Sequence, residues 1–198
     1  MRIFTIFIIS AITFISCDKK STETPPQNSE YNEAIADGWQ AFAEKNYSAA
    51  KVQFNEAKSI DAALATAYAG IGWIFIMQDS ISLADQNFEL GSQKTDPDAT
   101  LFAGWSISLN LRHNFEASIT QANEALSLDA DWSLGNGTTI DKTTIYVLLA
   151  SNYFLTGKFS DSLIYVQKVN SGFSTDVYSA FGRAQLSQEI ERLSSTGG

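Results

Sequence analysis

The chain has 198 residues, with 13 Lys and Arg against 22 Asp and Glu, one His, one Cys and a formal net charge of −9. Such an acidic chain lacks the clustered basic residues that nucleic-acid binding needs, so a nucleic-acid partner is excluded. A single Cys excludes an intrachain disulfide and a Cys-based zinc site, and a single His excludes sites built on several histidines. The apolar fraction of 44% is ordinary for a chain that buries a core.

The first predicted element is an export signal at residues 1–16. Arg2 precedes an uncharged, mostly apolar run of 13 residues, Ile3–Ile15. A helix of that length, at about 1.5 Å per residue, is too short to cross a bilayer. The run ends in Phe14-Ile15-Ser16-Cys17, which resembles the bacterial lipobox. The resemblance implies cleavage before Cys17 and lipid attachment to it; the alternative is an ordinary signal peptide in which Cys17 is incidental.

The second predicted element, residues 17–30, is the lipidated Cys17 followed by a flexible tether. Residues 18–30 contain no large apolar side chain and so cannot bury surface. Together, the signal and tether predict a lipid-anchored protein of the bacterial cell envelope, with the outer membrane as the expected location.

The body of the chain repeats. Similar segments begin at Tyr47, Ile81 and Phe115, 34 residues apart, and a fourth begins 44 residues later at Phe159. The units run over residues 31–64, 65–98, 99–132 and 143–171, with residues 133–142 as an insertion. Each unit has two apolar periodicities near 3.6 joined by a short polar turn, which predicts a pair of antiparallel helices. The turns are Glu44-Lys45-Asn46, Gln78-Asp79-Ser80, Arg112-His113-Asn114 and Thr156-Gly157-Lys158.

Small residues recur at two positions of every unit. The eighth position holds Gly38, Gly72, Ser106 and Ala150, and the twentieth holds Ala50, Ala84, Ser118 and Ser162. Small side chains at matching positions let two helices approach closely, so these positions are predicted to face each other within each pair.

These features resemble the tetratricopeptide repeat, a 34-residue helix–turn–helix unit. The resemblance covers residues 31–171 and implies an all-α, right-handed solenoid of four helix–turn–helix repeats. Residues 172–198 are predicted to form a capping helix and tail, with Ser174-Thr175-Asp176 as its N-cap. Its apolar face is expected to carry Val177, Tyr178, Phe181, Leu186, Ile190 and Leu193.

The resemblance also implies which side chains line the concave face. The predicted partner-binding residues are Trp39, Phe42, Trp73, Ile76, Met77, Ile107, Asn110 and Phe154. The residues of the predicted concave face carry no charge. They therefore predict an apolar trough that binds an apolar or amphipathic protein or peptide. One alternative is a small apolar ligand, a lipid or glycan fragment. Another is that the trough is filled and these residues belong to the core.

Motifs for catalysis are not found. No phosphate-binding loop, zinc-protease helix or serine-hydrolase elbow occurs, so the chain is predicted to be a non-catalytic scaffold without a cofactor or metal. Residues 133–142 are predicted to form a loop, with a turn at Gly135-Asn136-Gly137 and Asp141 capping the next helix. A calcium loop would need Gly where Leu134 stands and Glu where Ile140 stands. Whether this insertion is a lengthened turn or a recognition loop stays open.

Overall fold

Nine α-helices make up most of residues 26–196, the part of the chain that the computed structural model describes. They are α1 (Pro26–Ala43), α2 (Tyr47–Ile60), α3 (Thr66–Met77), α4 (Ile81–Ser92), α5 (Ala99–Leu111), α6 (Phe115–Leu128), α7 (Lys142–Leu155), α8 (Phe159–Val169) and α9 (Ala180–Thr196). Consecutive helices pack as the pairs α1–α2, α3–α4, α5–α6 and α7–α8, and the first helices of neighbouring pairs also contact one another. The fold is therefore an all-α helical-repeat solenoid, as predicted.

The signal peptide, Cys17 and most of the predicted tether lie outside the described residues. The tether prediction is wrong for residues 26–30, because α1 already begins at Pro26. Proline suits the first turn of a helix, where its missing N–H would have no intrahelical acceptor. Within residues 26–196, no helix is both long enough and apolar enough to cross a membrane.

The turn inside each pair has the same geometry in all four units. Its middle residue adopts a positive φ: 58° at Lys45, 56° at Asp79, 60° at His113 and 77° at Gly157. The residue after it donates its N–H back to the carbonyl five positions earlier, as in the 2.8 Å bond from Ser80 to Phe75. This pattern satisfies the free carbonyl groups at the end of a helix. The same backbone geometry therefore recurs with the repeat.

The small residues at the eighth position lie where the two helices of a pair pack closely, and the predicted contact with the twentieth position is confirmed in the last two pairs. A Cβ added at Gly72 would lie 2.6 Å from Phe88 of α4, so any larger residue would require the ring to shift. In the last two pairs, the position-20 serine donates to the carbonyl oxygen of position 8. These bonds join Ser118 to Ser106 at 2.6 Å and Ser162 to Ala150 at 2.7 Å.

Helix α9 covers the end of the stack. Leu186, Ile190 and Leu193 are buried in a core cluster shared with α7 and α8. The predicted apolar face is wrong for Tyr178 and Phe181, whose exposed fractions are 85% and 74%. Because α9 begins later than expected, these two aromatic side chains precede or begin the helix and point away from the stack.

Candidate functional site: the concave face

The first helices of the four units, α1, α3, α5 and α7, form one side of the solenoid, and the predicted binding residues lie on them. Trp73 is fully buried and Phe42 is only 2% exposed. Trp39, Ile76, Met77 and Ile107 are half-buried and pack against the same core. The predicted open trough is therefore wrong for Trp73 and Phe42, which belong to the core, while the other four side chains are partly covered.

The insertion between the third and fourth units covers this half of the concave face. Residues 132–142 fold into a short hairpin, here called the insertion hairpin, in which Ser133 and Asp141 form an isolated antiparallel bridge. Leu134 N–H donates to Ile140 O at 2.9 Å, and Lys142 N–H donates to Trp132 O at 2.8 Å.

The tip of the hairpin is the turn predicted at Gly135-Asn136-Gly137. All three residues have positive φ, at 60°, 47° and 74°. Two of the three are glycines, which adopt this conformation without steric cost. A Cβ added at Gly137 would lie 3.2 Å from the carbonyl oxygen of Ala43, so the tip reaches the end of α1. The insertion hairpin thus spans from the start of α7 to the first unit.

Trp132 anchors the hairpin in the groove. Its ring stacks on Trp73 of α3 with centroids 6.2 Å apart and an interplanar angle of 23°. Its indole N–H donates to Thr100 Oγ1 at 3.2 Å, while the Trp73 indole N–H donates to the backbone oxygen of Thr100 at 2.9 Å. Leu134 is 5% exposed in the same core. The insertion is therefore an integral part of the core.

At the base of the hairpin, the Lys142 ammonium donates to Asp131 Oδ1 at 2.5 Å. This hydrogen bond and charge hold the pKa of the Asp131 carboxyl below its usual value. Asp141 accepts from the Thr143 and Thr144 backbone N–H groups and forms the predicted helix cap, here a full capping box. These contacts define where the insertion ends and α7 begins.

Two sequence signals could have revealed the filled half. Helix α3 is apolar on all sides, and residues 67–75 are all buried. A helix without a polar face needs cover on every side, including the concave one. In the insertion hairpin, Trp132 and Leu134 alternate with polar residues before a Gly-Asn-Gly turn, the pattern of a hairpin with one buried face.

The other half of the concave face is open. A cavity of about 560 Å³, here called the open cavity, lies between α5, α7, the end of α8, α9 and the insertion hairpin. Its lining is mainly hydroxyl-bearing and aliphatic, with one amide and one carboxylate. The lining residues are Asn110, Thr139, Asp141, Thr143, Thr144, Val147, Leu148, Ser151, Val169, Leu193, Ser194 and Thr196.

Asn110, a predicted binding residue, lies at the edge of the open cavity. Its amide donates to Asn152 Oδ1 at 2.6 Å, and the Asn152 amide donates to Ser118 Oγ at 2.8 Å. Asn152 is fully buried. A buried, satisfied polar chain of this kind holds its members in one arrangement. The Asn110 amide is therefore held in place before any ligand arrives.

Phe154, the last predicted binding residue, is not among the residues that line the open cavity. It is half-buried, and its ring meets Phe159 of α8 edge to face with centroids 5.2 Å apart. It packs against the core cluster that α7, α8 and α9 share. Of the eight predicted residues, Asn110 alone lines the open cavity.

The basic side chains that the structure describes are largely engaged elsewhere. Arg112, Lys142 and Arg192 pair with Asp85, Asp131 and Glu189. Others lie over aromatic rings, namely Lys51, Lys58, Lys94, Lys158, Lys168 and Arg183. No Lys or Arg appears in the described lining of the open cavity. The described lining therefore offers no cationic side chain to pair with an anionic ligand. Among residues 26–196, His, Cys, Asp and Glu side chains also form no group of three that could hold a metal ion.

The sequence matches no protein-family model and no curated protein. Solved structures do resemble the fold. The TPR protein YrrB, described as having an unusual peptide-binding site, is 14% identical, with a TM-score of 0.64 over 84% of this chain and 88% of that one. Pseudomonas aeruginosa PilF is 17% identical, with a TM-score of 0.60 over 87% of this chain and 78% of that one. MamA is 11% identical, with a TM-score of 0.59 over 86% of this chain and 91% of that one. The chain therefore has the fold of tetratricopeptide-repeat proteins.

Proposed function

We propose that this protein is a non-catalytic scaffold that binds a polypeptide segment in the open cavity. The observation that carries the proposal is the division of the concave face: the insertion hairpin fills one half and leaves a cavity of about 560 Å³ in the other. Binding sites are usually preformed concavities in which apolar side chains and fixed polar groups converge, and this cavity combines both. The fold, which this chain shares with a protein described as having a peptide-binding site, supports a polypeptide as the ligand.

The lining indicates a neutral segment. Aliphatic side chains such as Val147 and Leu148 offer apolar contacts, and hydroxyl groups such as Thr143 and Ser151 offer hydrogen bonds. The one carboxylate, Asp141, already accepts hydrogen bonds from the start of α7. An acidic segment would lose hydration in this cavity without gaining a cationic partner, so it should bind poorly.

Binding can be tested with a displayed library of hexapeptides that lack Asp, Glu, Lys and Arg. Ser151→Tyr would place a ring in the open cavity and should weaken the selected peptides by roughly tenfold or more. Ser127→Tyr is the matched control, since Ser127 is exposed on α6 and is not part of the lining. Equal affinity of both variants for the selected peptides would contradict the proposed site.

A small apolar ligand is the second candidate, because the cavity volume lies within the range of small-molecule sites, about 300–1,000 Å³. Native mass spectrometry of the purified protein separates the two candidates. A copurifying molecule of a few hundred daltons, lost in Ser151→Tyr, would favour the small ligand over the polypeptide.

The proposal includes a location. The sequence Phe14-Ile15-Ser16-Cys17 supports lipid attachment at Cys17 and anchoring in the bacterial cell envelope, with the outer membrane as the proposed site. Two or more acyl chains hold a protein at a bilayer far better than one. Cys17→Ala should release the protein into the soluble fraction or leave an uncleaved precursor. A wild-type protein that is processed and soluble without detergent would contradict the anchor.

A further inference from the structure

The insertion hairpin presents one backbone edge to the open cavity. In an antiparallel pair, residues alternate between facing the partner segment and facing away. The bonds from Leu134 to Ile140 and from Lys142 to Trp132 flank the Ser133–Asp141 bridge. This register turns the N–H and C=O groups of residues 139 and 141 away from the other arm of the hairpin.

The outward groups of Asp141 are already used. Its N–H donates to Thr144 Oγ1 at 3.4 Å, and its carbonyl accepts from the Ile145 N–H at 3.3 Å. Thr139 is exposed, lines the open cavity, and has no backbone hydrogen bond to another described residue. The backbone N–H and C=O groups of Thr139 are therefore available for hydrogen bonding at the cavity wall.

The filled half of the concave face indicates what this groove accommodates. There, the arm containing Trp132 and Leu134 lies in the groove as an extended polypeptide with apolar side chains at alternate positions. The open cavity continues the same face from the opposite edge of the same hairpin. An extended segment laid beside Thr139 would have a hydrogen-bonding neighbour on one side and the aliphatic wall of α7 on the other.

We infer that the ligand is an extended, neutral polypeptide segment that adds to the free edge of the insertion hairpin and exchanges two backbone hydrogen bonds with Thr139. This inference rests on the proposed function and specifies its binding mode. Main-chain pairing supplies affinity, and alternate side chains of the segment enter the cavity, where Val147 and Leu148 select small or aliphatic groups.

The test uses the full chain and the tightest hexapeptide from the neutral library. Thr139→Pro removes the outward N–H, and Thr139→Ala, the matched control, keeps it. Thr139→Pro should weaken binding by roughly tenfold, whereas Thr139→Ala should change it by no more than about threefold. Tryptophan fluorescence and thermal unfolding would show that the hairpin remains folded in both variants.

A second measurement leaves the protein unaltered. The hexapeptide is methylated at one backbone nitrogen at a time, and a single position should lose roughly tenfold in affinity while its neighbours do not. If Thr139→Pro binds like Thr139→Ala and every methylated peptide binds like the parent, the edge-pairing inference is overturned. Retained sensitivity to Ser151→Tyr would then leave the proposed function standing, whereas a wild-type chain that selects no peptide would overturn both.

Discussion

The two halves of the concave face come from the same positions of the repeat, yet one is closed and the other open. In the first two units, the ninth position holds Trp39 and Trp73, and the insertion hairpin covers this region. In the last unit, the ninth position holds Ser151, and a cavity of about 560 Å³ lies beside it. Large apolar side chains such as Trp39 and Trp73 are removed from water only when another segment packs over them. A small side chain such as Ser151 leaves space beside it for a ligand. The repeat positions the helices, and the side chains at equivalent positions decide which half of the face is covered and which stays open.

The strongest test of the closed half is Trp73→Ala. Trp73 is fully buried, stacks on Trp132 and donates to the Thr100 carbonyl. Its removal should lower the free energy of unfolding by about 3–5 kcal/mol, as expected for a large core aromatic. Urea unfolding measures this. A loss below about 1 kcal/mol would place Trp73 on an accessible surface instead.

The next effect is expected for Trp132→Ala, which removes the anchor of the insertion hairpin. The cost should be about 2–4 kcal/mol, slightly less than for Trp73, because Trp132 is 3% exposed and Trp73 is fully buried. Trp73 should then become accessible, so the combined emission of the three remaining tryptophans should shift to longer wavelength and become more quenchable by acrylamide. An unchanged spectrum and stability would contradict the closed half.

A smaller effect is expected for Gly72→Ala, at the crossing of α3 and α4. The added Cβ would lie 2.6 Å from the Phe88 ring, so the ring must shift. Overpacking of this kind costs about 1–3 kcal/mol. Asp37→Ala, at an exposed position of α1, is the control and should change stability by less than about 0.5 kcal/mol. Equal thermal shifts for the two variants would argue against the helix crossing at Gly72.

The smallest effect concerns α9, which borders the open half. The hydrogen bond from Arg192 lowers the pKa of Glu189 from 4.5 to about 2, and a bond from Asn170 acts in the same direction. The pKa of Glu189 is lower in the folded protein than in the unfolded chain, so the ionised carboxylate stabilises the fold. This stabilisation is fully present above pH 4.5 and disappears as the pH falls towards 2. Glu189→Gln should therefore destabilise at pH 6 by no more than about 1 kcal/mol, since solvent screens the exposed Arg192.

The difference in free energy of unfolding between Glu189→Gln and the wild type should shrink as the pH is lowered to 3. Urea unfolding at pH 6 and pH 3 measures it. Glu191→Gln, an exposed neighbour on the same helix, is the control and should follow the wild type at both pH values. A gap that stays constant over this range would show that the carboxylate of Glu189 does not hold α9 in place.

Much of the fold could be predicted, because its determinants are local. The polar turns recur with the repeat, and the small residues at Gly72 and Ser118 mark where two neighbouring helices cross. The helix cap at Asp141 could also be predicted from the sequence, since a cap depends on residues within one turn of the helix. The candidate site was predicted far less well. Of the eight proposed residues, Trp73 and Phe42 lie in the core and Asn110 lines the cavity, because exposure depends on what covers a helix from elsewhere in the chain.

By itself, the sequence determined the helix pairs, their turns and the close approach of paired helices, since these follow from periodicity and side-chain size over short distances. It also determined the neutral character of the concave stripe. Only the tertiary structure decided that Trp132 stacks on Trp73, from a segment 59 positions along by residue number, and that the hairpin stops short of Ser151. The physical reason is that the hydrophobic effect is non-directional. A large apolar side chain in the sequence indicates that it will be buried but does not indicate which segment will pack against it.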